Sequence, residues 1–407
     1  MSFPDVLDRG DEFLSQYPRT NPFWQIASHG TCLLAVGISK FMLNTFYNVK
    51  LNNLEKLQEA VARTKTENRG LMTVMNHMSV VDDPFIWGVF PWSMYWDLDQ
   101  IRWCLGAHNV CFQNKFLATF FSLGKVLSTE RFGGGPFQGS IDASIRLLSP
   151  DDTLDLEWTP HHIEPLKKEI EKQPTLEGNN KIVDKLSIKD GHVVKYVAPV
   201  ARSKPSWIHV YPEGFVLQLQ PPFSNSMRYF RWGITRLILE STKSPIVVPM
   251  FSTGFEKIAP ESSAGTMIER YLPRNMGAEI NVTIGNPIDD AIIDGYRKEW
   301  LALCDKYHDP KNPTDLSWEL KYGKEVQDLR SRLAAELRAH VAKIRHEERH
   351  FELEDERFKS PAWWGRYTET EGASDPDVKF IGQNWAIRRL QKFLNDYDDA
   401  ENPGKHE

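Results

Sequence analysis

The chain is 407 residues long, with 41% apolar and 26% charged side chains, an ordinary balance for one large globular domain or two. Its 49 basic and 55 acidic residues leave a net charge of −6, so nothing overall points to nucleic acid. Cys32, Cys104, Cys111 and Cys304 show neither zinc spacing nor a disulfide framework.

In chain order, Met1–Pro18 carries several acids and no apolar run, and is expected to be neither a secretory signal nor a transit peptide. Thr31–Val49 is the most apolar long stretch, with Lys40 as its only charge. Three readings stay open for it: a helix lying in one leaflet, a membrane span, or a packed core helix. Residues 1–50 are read as a membrane-associating segment. The 13 tryptophans and an aromatic content of 12% fit either a large core or an interfacial surface.

Leu54–Arg63 repeats apolar residues at helical spacing. Leu71–Met75 reads as a strand that enters Asn76-His77-Met78-Ser79-Val80-Val81-Asp82-Asp83-Pro84. Asp83 suits a helix N-cap and Pro84 the first helical position, which puts His77 on a strand-to-helix loop. A neutral imidazole there can take a proton from an attacking alcohol. A carboxylate on its other nitrogen, Asp82, would fix the tautomer. The five-residue spacing is not a same-face helical one, so the pair meets only if the loop folds back. Taken alone, the same pattern also fits a loop histidine followed by capping aspartates.

Gln113–Leu123 is helix-like and apolar nearly all round. Lys125–Leu127 reads as a short strand, followed by Arg131 and three consecutive glycines. These would let the backbone approach a ligand while the guanidinium forks onto a phosphate. Ser140–Leu148 resumes a helix. Asp151–Pro205 is charged and poor in apolar clusters, and reads as an insertion. His161, His162, Glu164 and Glu169 within it match no standard metal spacing, so no metal is expected. Trp207–Tyr211 is a strand ending in Pro212-Glu213-Gly214, where Gly214 supports a tight turn and its N–H can point at an anion. Glu213 could pair with Arg131 or accept a bond from a glycerol hydroxyl. Basic residues then outnumber acids up to Lys243 (Arg228, Arg231 and Arg236 among them), which suits an anionic ligand or surface. Tyr229–Glu240 reads as a helix, Pro245–Phe251 and Ala278–Ile284 as strands, and Gln327–Glu348 as an amphipathic helix. The tail, with Trp363, Trp364, Phe380, Ile381 and Trp385, is expected to dock on the main domain.

Together these residues resemble the glycerolipid acyltransferases, whose four blocks occur here in order: Asn76-His77-x4-Asp82, Arg131, Pro212-Glu213-Gly214, and Pro245-Ile-Val-Val-Pro249. Asn76–Gly88 and Arg231–Glu240 are most similar to the tafazzin family. Tyr211 stands where that third block usually opens with Phe, and Phe215 where Lys is frequent. The resemblance implies an α/β fold, a mixed sheet covered by helices. An acyltransferase domain is expected at 51–300 with the insertion 151–205, and a helical C-terminal extension at 301–407; the insertion and the extension lie outside the resembling part. It implies His77 as general base, Asp82 as its partner, and Arg131, Glu213 and Gly214 as a phosphoglycerol site. It further implies a cofactor-free transacylase that exchanges acyl chains between phospholipids and lysophospholipids, phosphatidylcholine and cardiolipin among them, without coenzyme A. The expected location is mitochondrial membranes facing the intermembrane space, with monotopic attachment; a homo-oligomer is left open. The rival readings are an acyl-CoA-dependent lysophosphatidate-type acyltransferase and an inactive membrane-surface scaffold.

Overall fold

The computed structural model describes residues 3–131, 134–149, 206–214, 216–219, 221–260, 274–312 and 314–367, with the backbone of 185–189 and 192–196. His161, His162, Glu164, Glu169, Phe380, Ile381 and Trp385 lie outside the described residues.

The strands in chain order are β1 (Asn48–Asn52), β2 (Leu71–Met75), β3 (Trp103–Ala107), β4 (Val126–Thr129), β5 (Lys185–Lys189), β6 (His192–Tyr196), β7 (Trp207–Val210), β8 (Ile246–Thr253) and β9 (Glu279–Ile284). Seven form one sheet in the order β1-β9-β8-β2-β7-β3-β4, and β5 pairs with β6 as a separate antiparallel hairpin. From β8 to β4 the strands are parallel, while β9 runs antiparallel to β8 and β1 follows β9. Central strands β2, β7 and β8 are buried on both faces, which is why they read as mostly apolar runs, interrupted by Thr73, His209 and the Ser252-Thr253 end of β8. Pro249 is tolerated in β8 because pairing with β9 begins only at Met250.

Alternate residues on these strands feed two cores. On one face Met72, Val74, Ile208, Val210, Val247 and Phe251 meet α1 (Pro4–Ser15), α7 (Gly139–Leu148), α10 (Asp290–Tyr307) and α12 (Lys324–Lys343). On the other, Leu71, Met75, Trp207, Val248 and Met250 meet α2 (Pro22–Phe46), α3 (Leu54–Glu67) and α4 (Asp82–Val89). Helix α1, from the stretch read as membrane-associating, is thus in the sheet's core; its buried Asp11 pairs with Arg146 of α7 at 2.8 Å. The amphipathic C-terminal helix likewise buries Leu329, Leu333, Leu337 and Val341 in the same core as the strands.

Helix α2 is long and apolar enough to cross a membrane, yet it packs on the domain along one stripe, Ser28, Cys32, Val36, Ser39 and Leu43. Ser39 Oγ donates to Pro84 O at 2.7 Å, and Lys40 Nζ to Gly88 O and Phe90 O at 3.0 and 2.7 Å. Gly88 permits this approach, since a Cβ there would lie 2.7 Å from Lys40 N. The opposite stripe leaves Phe23, Leu34, Ile38 and Phe41 exposed.

Two local expectations are corrected. The helix after His77 begins at Asp82 with Val81 as N-cap, so Asp83 does not cap it. The stretch Tyr229–Glu240 is not one helix: only Arg236–Leu239 (α8) is α-helical, preceded by a 3₁₀ turn at Trp232–Thr235. Residues 227–231 instead form an extended strap, because Arg228 N–H is taken by Glu213 and Arg231 N–H by Pro212 O.

Candidate active site

Strand β2 delivers His77 to the end of the sheet, and the chain folds back at once into α4. The turn closes on Asp82 Oδ2, which accepts Met78 N–H at 2.6 Å and Ser79 N–H at 2.9 Å. The same oxygen lies 2.9 Å from His77 Nδ1. A carboxylate only accepts, so Nδ1 carries the proton and Nε2, on the ring edge away from Asp82, is left as the acceptor. Asp82 is buried while the His77 side chain keeps 21% exposure: the carboxylate is shielded and the imidazole is reachable.

The neighbouring Asp83 has a different task. It accepts from Arg102 at 3.0 Å, Trp87 Nε1 at 3.2 Å and the Cys104 thiol at 3.3 Å, which ties α4 to β3. Adjacent carboxylates of one motif therefore serve separate networks.

The His77 ring stacks on Tyr211, with centroids 4.4 Å apart. Tyr211 in turn meets His209 edge-on at 4.7 Å. His209 is held at its Nδ1 by Thr73 Oγ1 at 2.7 Å, and Thr73 Oγ1 accepts from Trp207 Nε1 at 2.8 Å. Burial pushes the His209 pKa down to about 3, so it stays neutral as a packing element under the stack.

Glu213 is placed behind the site rather than in it. It is buried, its Oε1 accepts His77 N–H and its Oε2 accepts Arg228 N–H, each at 2.8 Å. The expected pairing with Arg131 or a substrate hydroxyl is replaced by these two main-chain bonds. Burial raises its pKa to about 8, against the pull of the two N–H donors.

Gly214 also differs from its expected use. Its N–H closes the turn on Tyr211 O at 3.2 Å, so it is not directed at an anion. Its φ is +80°, and a Cβ would lie 2.7 Å from Arg231 Nε. The glycine makes room for Arg231 to lie across the turn.

His77, Arg131, Tyr211, Gly214, Arg231 and Trp232 line one cavity of about 1100 Å³. Burial and the charge of Arg231 lower the Arg131 pKa, which places two cations in mutual reach. In the sequence Arg231 stands in the basic surplus and opens the segment Arg231–Glu240, neither of which marks it as a ligand; its close approach to Gly214 does so in the structure. One wall of the cavity comes from α12 and the turn after it, through Ser331, Ala335, Arg338, Ala339, Ala342 and Lys343. No group of three or more metal-ligating side chains occurs among the described residues.

Residues 48–253 match the family model described as Acyltransferase. The chain is 66% identical over 394 residues to Tafazzin of Saccharomyces cerevisiae, covering 97% of each chain. The chain belongs to the tafazzin family. Taffazin of Dictyostelium discoideum is 27% identical over 67% of this chain and 73% of its own. Among solved structures, a 1-acyl-sn-glycerophosphate acyltransferase of Thermotoga maritima covers 75% of this chain and 81% of its own at 15% identity and a TM-score of 0.29, a likeness too distant to add to the reading. This tafazzin-family enzyme is a phospholipid acyltransferase, with its base candidate and two arginines gathered in a single cavity.

Proposed function

We propose that the enzyme is a phospholipid–lysophospholipid transacylase that remodels cardiolipin without coenzyme A. The observation that carries this reading is the shared cavity: a histidine with its acceptor nitrogen away from Asp82 opens on the same space as Arg131 and Arg231. His77 Nε2 takes the proton of the lyso-lipid hydroxyl as its oxygen attacks the donor ester carbonyl. Asp82 stabilises the imidazolium that forms. The tetrahedral intermediate expels the donor's glycerol oxygen, which recovers the proton from His77. Arg131 and Arg231 hold a phosphodiester by charge-assisted hydrogen bonds. Glu213 and Gly214 act through the main chain, by fixing His77 and seating Arg231.

One ester is exchanged for another, so no activated donor is needed. Resemblance to yeast tafazzin along nearly the whole chain supports this over the thioester-dependent alternative. The exposed apolar stripe of α2, with Phe116 and Trp96 also exposed, supports monotopic attachment to one leaflet. The proposed location is mitochondrial membranes facing the intermembrane space.

The test is labelled acyl transfer from phosphatidylcholine to lysocardiolipin by purified enzyme, with and without acyl-CoA. Transfer between the two lipids alone is expected. Strict dependence on acyl-CoA would replace the reading with a lysophosphatidate-type acyltransferase.

A further inference from the structure

The cavity continues well beyond the base. The strap at 225–232 runs antiparallel to α12 and the turn after it: Arg345 Nε donates to Asn225 O at 2.9 Å, Arg338 to Met227 O and Arg228 O at 2.8 and 3.0 Å, and Arg330 lies 5.4 Å from the Trp232 ring. Positions along the helix can therefore be read against the site. Arg231 lies toward the Arg330 end. His77, tied through Glu213 to Arg228, lies at the level of Arg338. Beyond that level the lining goes on to Lys343, His346, Glu347, Leu353 and Lys359. From Ser331 to His346 this wall is about 22 Å long at 1.5 Å per residue.

We propose that Lys343, His346 and Lys359 form a second anion site, which holds the phosphate of a second phospholipid so that donor and acceptor occupy the cavity together on either side of His77. This rests on the transacylase reading above and adds its order of binding. Direct attack of one lipid's hydroxyl on the other's ester requires both to be present at once. The Arg131–Arg231 pair can seat one of the two phosphates.

The far cations are available for the other. Lys343 Nζ is 3.8 Å from Glu347, and Lys359 Nζ is 2.6 Å from Glu356. In both pairs each side chain is more than half exposed, so each pair is worth little and gives way to a phosphate. His346 Nδ1 lies 2.8 Å from Phe351 O; a carbonyl only accepts, so this nitrogen carries its proton and Nε2 is left to meet the phosphate once protonated. Between the two ends, Ala335, Ala339 and Ala342 line the helix side of the cavity, and their short side chains leave it open. The α12 core lies on the sheet face opposite the α2 core. A groove along α12 therefore leads headgroups away from the apolar stripe where acyl chains would lie.

The experiment uses the full chain. Initial rates are measured with phosphatidylcholine and lysocardiolipin varied against each other in mixed micelles. Intersecting double-reciprocal lines are expected, since both lipids bind before release. In Lys343→Glu/Lys359→Glu the KM of one lipid should rise about tenfold or more, the loss of one or two charged hydrogen bonds, with kcat and the other KM nearly unchanged. Ala339→Leu, which narrows the groove without touching a charge, should act on the same lipid. A second readout does not depend on turnover: calorimetric titration with monomeric dihexanoyl phosphatidylcholine should give two equivalents for the wild type and one for the double variant. Parallel lines, equal changes in both KM values, or a single equivalent in the wild type overturns the second site. Dependence on acyl-CoA with two equivalents retained overturns the transacylase reading instead.

Discussion

The main-chain N–H of His77 donates to Glu213 Oε1 at 2.8 Å, while the other oxygen of that carboxylate accepts Arg228 N–H at the same distance. One buried side chain therefore joins the His77 loop to the strap at 227–231. The strap is itself held from α12: Arg338 donates to Met227 O and Arg228 O, and pairs with Glu354 at 2.8 Å. A helix that follows the family-model region in sequence thus takes part in placing His77.

Arg338→Met keeps most of the side-chain volume and removes the grip. It leaves Glu354 buried without its partner, a change that costs about 3–5 kcal/mol in comparable buried pairs. Thermal unfolding should shift down accordingly. Among molecules still folded, kcat should fall at least about tenfold because His77 is displaced, and by more than KM rises, although Arg231 rides on the same strap. Arg338→Met/Glu354→Gln should recover part of the stability but not the rate. An unchanged kcat in both variants would remove α12 from the positioning of His77.

For the dyad, His77→Ala should nearly abolish transfer while the fold is retained, with a modest drop in unfolding temperature from the lost Tyr211 stack and Asp82 bond. Asp82→Asn should cost on the order of 10⁴-fold, by analogy with the serine-protease triad. It should also destabilise the loop, because Asp82 Oδ2 accepts two main-chain N–H groups as well as His77. Steady-state transfer and thermal unfolding measured side by side check both statements. Wild-type rates in His77→Ala would end the mechanism.

What the sequence made legible follows from how local each cause is. Leu71–Met75 was readable because a strand buried on both faces is mostly apolar, with Thr73 the single polar residue, and the strand occupies those residues. β1, Asn-Val-Lys-Leu-Asn, is a half-exposed edge strand with little to mark it. β3 contains Gly106, whose missing side chain admits Val126 from β4 and weakens the strand signal. His77 and Asp82 are five residues apart, so their pairing is a property of one loop. Arg338 acts on that loop from more than two hundred positions away, and nothing in its own neighbourhood announces it. Tyr229–Glu240 has helical periodicity, but its start is tied to other parts of the chain, Arg228 N–H to Glu213 and Arg231 N–H to Pro212 O, a tertiary override of local pattern.

Glu213 gives a pH signature. Its folded pKa, about 8, lies above its ordinary value of 4.5 because of burial. Across that interval the folded state binds more proton than the unfolded state, so stability is full below the ordinary value and is lost as pH rises through about 8. Glu213→Gln removes this dependence. Denaturant unfolding of wild type and variant between pH 5 and 9 should show the wild type losing ground steadily, by a few kcal/mol in order of magnitude. Parallel curves would mean that the carboxylate is ionised at no net cost.

Gly214→Ala addresses the arginine seat. The new Cβ meets Arg231 Nε at 2.7 Å on a backbone with φ of +80°. The left-handed conformation costs an L-residue about 1–2 kcal/mol, and Arg231 must leave the turn. KM for phospholipid should rise more than kcat falls, the reverse of the Arg338→Met pattern. A loss confined to kcat would place Arg231 outside substrate binding.

The last prediction separates attachment from crossing. Helix α2 has two opposed stripes: Cys32, Val36 and Leu43 are buried against the domain, and Leu34, Ile38 and Phe41 are exposed. A lone helix that crossed the bilayer would have lipid around its whole circumference, whereas this one keeps one stripe packed on the domain. Leu34→Ser/Ile38→Ser/Phe41→Ser should leave the fold intact, because none of the three lies on the packed stripe. Removing three apolar side chains at roughly 1.5–3 kcal/mol each when fully buried in lipid should weaken binding to cardiolipin-containing vesicles by about two orders of magnitude or more. Leu43→Ala should do the opposite: it should lower stability by about 2–5 kcal/mol through the cavity it leaves, with vesicle affinity unchanged in the folded fraction. Co-sedimentation and thermal unfolding of both variants decide the matter. If the triple variant stays in membranes after alkaline carbonate extraction, α2 crosses the bilayer and the one-leaflet account is wrong.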